Sequence, residues 1–164
     1  MAKKSAAKAP ITSPLSDSDR DITGKALQAT LVDLVDLHLV AKQAHWNVVG
    51  RFFRDVHLQL DELVTTARGF ADDVAERAAA LGVTPDGRAN TIAKNSGLST
   101  FSSGWRTDEQ VVEAVASILG ELSGRLRSRI DELDKTDLVS QDLIIGITSK
   151  LEEAHWMWQA QLAR

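Results

Sequence analysis

The chain contains no cysteine, only three prolines and only ten glycines in 164 residues. Without a thiol it can form no disulfide, no thiolate metal site and no cysteine nucleophile. Most of the prolines and glycines lie outside the periodic segments, so little interrupts long helices. No apolar run approaches the roughly 18–20 residues needed to span a bilayer. The N-terminal lysines are followed by no apolar stretch, so a secretory leader is not expected and a reducing cytoplasm is the expected location.

What is present is ordinary for a soluble globular protein, with 43% hydrophobic and 26% charged residues. The length suits one domain with a full core. Charge is unevenly placed. The chain carries −4, yet MAKKSAAK at residues 1–8 holds Lys3, Lys4, Lys8 and no acid, so the remainder carries −7. Such a body repels nucleic acid, and only the arm can attract phosphate.

Residues 1–20 show no hydrophobic period and are expected to form a flexible basic arm ahead of a domain over 21–164. A first long helix is predicted from about Asp21 to Val48, with Leu27, Leu31, Leu34 and Ala41 inward and a turn at Asn47–Gly50. A second runs from about Arg54 to Leu81 and places Val56, Leu60, Leu63, Ala67, Phe70, Val74 and Ala78 on one stripe. Gly82 and Pro85 end it. Residues 83–106 are too long for a bare loop in a compact domain, and TIAKNS at 91–96 is the natural short helix within them. Thr107 and Gln110 stand at capping-box spacing and open a third long helix reaching about Leu133. The fourth covers about Val139 to Leu162. No segment alternates as a strand. The expected fold is all-α: a four-helix bundle with a short helix in the long connection between its second and third members.

The second helix carries another stripe. With His57 at 0°, Asp61 falls at about 40°, Asp72 at about 60° and Glu76 at about 100°, away from the apolar face. A solvated charged face is the ordinary reading of such a stripe. Its internal pattern supports a metal centre instead. His57/Asp61 and Asp72/Glu76 are each i,i+4 pairs, but roughly 16 Å of helix rise separates Asp61 from Asp72. Metal–ligand bonds are only about 2.0–2.2 Å long, so one chain cannot bring both pairs to one small site. Two chains can. His57 and Glu76, and likewise Asp61 and Asp72, are symmetric about a point between Thr66 and Ala67. Two antiparallel copies of this helix about a two-fold axis would set each pair of one chain against the other pair of its mate, twice per dimer. Thr65 and Arg68 share that symmetry. His45 lies twelve residues before His57, and the intervening turn folds it back toward the same place. Imidazoles and carboxylates without thiolate suit iron(II) or zinc, and open positions for an oxidant favour iron.

The stretch AKQAHWNVVG, followed six residues later by HLQLD and then by ADDVAER and ALG, closely resembles the Dps family of mini-ferritins, the DNA-binding proteins from starved cells. The likeness extends through the long connection to DLVSQDL and HWMW and covers about residues 20–162. It implies a ferritin-like fold, a hollow dodecamer built from two-fold dimers, and an iron cofactor handled at ferroxidase centres between subunits. His45, His57 and Asp61 would come from one chain, and Asp72 and Glu76 from its mate, with Trp46 beside the site. The implied activity is oxidation of iron(II), preferably by hydrogen peroxide, with storage of the ferric mineral. Family shells also place acidic iron-admitting pores near the start of the last helix, where Asp137 and Asp142 stand, although acids there also suit the helix dipole.

Lys3, Lys4 and Lys8 are candidates for non-specific DNA binding, multiplied by the number of copies in a shell. The competing reading is a nucleoid-compacting DNA-binding protein whose metal site is structural and catalytically idle. Glu152 and His155 form one E-x-x-H, which the larger di-iron bundles need on two helices, so it is taken as coincidental. His38 lies two turns before His45, too far to join its site, and is expected to be packed or hydrogen-bonded.

Overall fold

The computed structural model describes residues 10–163. Its elements are α1 (Asp17–Asn47), β1 (Val48–Val49), α2 (Phe53–Ala80), α3 (Ala89–Asn95), β2 (Arg106–Thr107), α4 (Asp108–Leu133) and α5 (Leu138–Ala160).

The first helix starts at Asp17, four residues before the sequence pattern predicts. Ser16 accepts the Asp19 N–H through its hydroxyl at 3.1 Å, and Asp17 and Asp19 bring negative charge to the first turn. Capping, which needs no hydrophobic period, therefore extends the helix into a segment read as arm. The lysines at 3, 4 and 8 lie outside the described residues. The capping box at Thr107 and Gln110 is formed in both directions. A short parallel pair, Val48 against Arg106 and Val49 against Thr107, joins two places where no strand was expected.

Cross-helix contacts define the topology. Lys42 meets Asp61 and His45 meets His57, so α1 and α2 run antiparallel. Thr30 meets Arg129 and Asp33 meets Arg125, which sets α4 antiparallel to α1. Gln59 meets Gln161 and Arg77 meets Asp137, which sets α5 antiparallel to α2. The long 81–107 connection, carrying α3, crosses between the two hairpins as it must in such a bundle.

The core holds Leu27, Leu34 and Leu37 from α1, Leu60, Ala67 and Val74 from α2, Leu119, Leu122 and Leu126 from α4, and Ile144, Leu151 and Trp158 from α5. A charged group is buried beside it. Asp33 is fully enclosed: Arg125 donates to its Oδ2 at 3.0 Å and its Oδ1 at 3.1 Å, and Arg129 also donates to Oδ2. Removing one member of such a set costs about 3–5 kcal/mol because the remaining charges are stranded. The triad fixes α1 against α4, and α1 carries His45.

Candidate metal centre

His45 ends α1 and His57 occupies the second turn of α2, and the five-residue turn between the helices lays one imidazole on the other. The ring centroids are 3.6 Å apart with planes inclined by 23°. Nδ1 of His45 lies 2.9 Å from the carbonyl oxygen of His57, and Nδ1 of His57 lies 3.0 Å from the carbonyl oxygen of His45. A carbonyl only accepts, so each Nδ1–H is the donor and Nε2 is the ring nitrogen left for a further ligand. This orientation of an imidazole by a backbone carbonyl is what metal-binding histidines use. His45 is 7% exposed, and Phe53 covers His57 with ring centroids 5.0 Å apart.

Asp61 completes the group. Its Oδ1 lies 3.4 Å from Nδ1 of His45 and 2.5 Å from Nζ of Lys42. The hydrogen bond from Lys42 is the main cause that holds the Asp61 carboxyl below its ordinary range; partial burial opposes it, and both imidazoles assist. Sequence reading missed Lys42. The available signal was its position three residues before His45, on the same face of α1.

Asp72 and Glu76 are exposed on α2, three turns and more beyond Asp61. The fold thus brings together His45, His57 and Asp61 and leaves Asp72 and Glu76 apart from them on the same chain. Among the described residues, no set of three or more His, Asp or Glu side chains within one chain is arranged to hold a metal. Trp46, next to His45, is 62% exposed.

The other candidates have definite surroundings. Asp137 is buried as the N-cap of α5, accepting the N–H groups of Val139 and Ser140 and an Arg77 guanidinium at 2.6 Å. Burial works against its charged form, but Ser140 and Arg77 outweigh it and hold the carboxyl below its ordinary range. Asp142 is exposed. Glu152 is held by a forked contact from Arg127 at 2.6 and 2.9 Å. His155 lies against Gly120, where even a Cβ would come within 3.2 Å of its ring. His38 is packed, with its Nδ1 buried and without a well-formed partner among the described residues. Burial lowers its pKa, as does Arg68.

An antiparallel four-helix bundle with a long crossover and a histidine–carboxylate group on facing helices defines a ferritin-like protein. A family profile described as a ferritin-like domain matches residues 24–164. The chain is 38% identical over 148 residues to the DNA protection during starvation protein of Mycolicibacterium smegmatis, covering 90% of this chain and 81% of that one. A solved structure of Mycobacterium smegmatis Dps superposes with a TM-score of 0.90 at 36% identity, over 96% of this chain and 95% of the other. DpsA14 from Streptomyces coelicolor gives 0.90 at 32% identity, covering 94% and 93%. The chain belongs to the Dps family.

Proposed function

We propose that the protein oxidises iron(II) at centres shared between two copies and stores the ferric product inside a dodecameric shell. The observation that carries this reading is the reciprocal bonding of His45 and His57. It occupies Nδ1 of each ring and leaves Nε2 for a ligand, and the Asp61 carboxylate lies 3.4 Å from Nδ1 of His45. That donor set, two nitrogens with oxygen and no thiolate, suits iron(II).

Asp72 and Glu76 lie too far along α2 to join their own chain's imidazoles, and a two-fold mate supplies the second pair. Each iron(II) gives one electron. Two of them together reduce hydrogen peroxide, whose O–O bond breaks and takes up two protons to leave two waters. No hydroxyl radical is released, because both electrons arrive at the same molecule. Trp46 stands at the edge of the centre. Asp142 is the exposed acid that would line an iron-admitting pore, while Asp137 shapes the helix end behind it. No helix among the described residues is long and apolar enough to cross a membrane, and a cytoplasmic shell, associated with the nucleoid through its basic arms, fits the whole. The names of the curated relatives, which refer to protection of DNA, support that second role.

The test is peroxide-driven oxidation of iron(II) by the purified shell, followed by the ferric absorbance. His57→Ala and Asp61→Ala are expected to lower the initial rate by about 10²-fold or more while sedimentation remains that of the assembled particle. An undiminished rate in both variants would contradict the reading.

A further inference from the structure

The turn that superposes the two imidazoles is held by a helix that supplies none of the proposed ligands. α2 begins at Phe53 and has no side-chain cap of its own, since Phe52 stands where Ser, Thr, Asp or Asn would normally accept the first free N–H groups. Asp108, the first residue of α4, supplies an acceptor from fifty-six residues away, for the N–H of the cap residue itself. Its Oδ2 accepts the Phe52 N–H at 2.6 Å, and its Oδ1 accepts the Glu109 N–H at 3.0 Å. One carboxylate therefore joins the N-termini of two helices, where the dipoles of both favour a negative charge.

The turn has the shape this contact needs. Gly50 has φ of +136°, and a Cβ there would lie 2.6–2.7 Å from the carboxyl carbon and both oxygens of Asp108. The missing side chain is thus the space the carboxylate fills. Val48 and Val49 pair with Arg106 and Thr107 immediately before Asp108, so the same turn is held on its other side by the short parallel bridge. His45 precedes this bridge by three residues, and His57 follows Phe52 by five. The two backbone carbonyls that orient the rings belong to His57 and His45 themselves, on the two helices that this turn joins.

The geometry points to Asp108 as a positioning residue for the imidazole pair: it caps α2 from α4 and so sets the offset between His45 and His57. This rests on the proposed iron-oxidising centre. A loose turn would let the rings slide and weaken metal binding, and the loss of such supporting contacts typically costs about ten- to a hundred-fold in affinity.

The experiment compares assembled wild-type shells with Asp108→Ala, Asp108→Asn and Asp108→Glu. Two readouts are used: cobalt(II) affinity from its visible absorption without oxidant, and the iron(II) dependence of oxidation. Asp108→Ala is expected to weaken cobalt binding and raise half-saturating iron by about ten-fold, with the rate at saturation changed by less than about two-fold. Asp108→Asn keeps an oxygen acceptor at the same reach and should restore both to within about two-fold. Asp108→Glu assembles with its charge intact but displaces the oxygens by one methylene, and should weaken both by several-fold; it decides the matter if the alanine variant does not assemble. Parity of Ala or Glu with wild type would overturn the assignment of Asp108 alone. A wild-type shell that neither binds cobalt nor oxidises iron would overturn the centre itself and this role with it.

Discussion

Nζ of Lys42 lies 2.5 Å from Oδ1 of Asp61, so the carboxylate beside His45 is engaged by a cation of the protein's own. Any metal that takes Asp61 must displace it. Both groups are partly exposed, with side chains 32% and 45% accessible, so water screens the contact and it holds the pair only weakly.

Replacing Lys42 by Gln should therefore favour metal twice over, by freeing Asp61 and by removing a positive charge from the site. Half-saturating iron(II) is expected to fall by about two- to five-fold. Cobalt titration without oxidant checks it. Unchanged or weaker binding would place the metal away from Asp61.

His38 gives a pH-dependent prediction. Its pKa in the folded chain lies below the ordinary 6.5, first because of burial and then because of Arg68, with Asp36 and the nearby carbonyls of Leu34 and Val35 opposing. Below about pH 6.5 the unfolded chain takes a proton that the folded chain refuses, so stability is lost as pH falls through that window. His38→Leu removes the loss. Its melting temperature should exceed wild type by a few degrees more at pH 5 than at pH 8, as thermal scans at the two values would register. A difference independent of pH would contradict the argument.

The basic arm has a separate test. Deleting residues 1–9 removes three lysines from every copy of the chain. A gel shift of DNA by the shell is expected to vanish at moderate salt, and the full-length protein should itself lose binding steeply as salt rises. Iron oxidation should be unaffected. Equal DNA binding by the truncated shell would move that role to another surface.

Much of this was legible because helices declare themselves locally. The i, i+3, i+4 pattern from Val56 to Ala78 marks the buried face of α2, and the same spacing separates His57 and Asp61 from it. Thr107 and Gln110 announced the start of α4 from four residues. The contacts that were not legible join distant segments. Nothing near Phe52 signals that Asp108 will cap it, and nothing near Asp33 signals Arg125 and Arg129. The start of α1 was placed late because Ser16 and Asp19 act through capping, which leaves no period to find. The bond between Asp137 and Arg77 was not legible either, because the two lie sixty residues apart.

The central claim is that each centre is completed by a second copy, and mixed shells test it most directly. Chains carrying His57→Ala and chains carrying Glu76→Ala, each inactive alone, would be co-expressed and purified through two different tags. Random pairing makes half the dimers mixed, and each mixed dimer regains one intact centre of its two. The account predicts about one quarter of the wild-type iron(II) oxidation rate. A mixed shell no more active than its parents would contradict it.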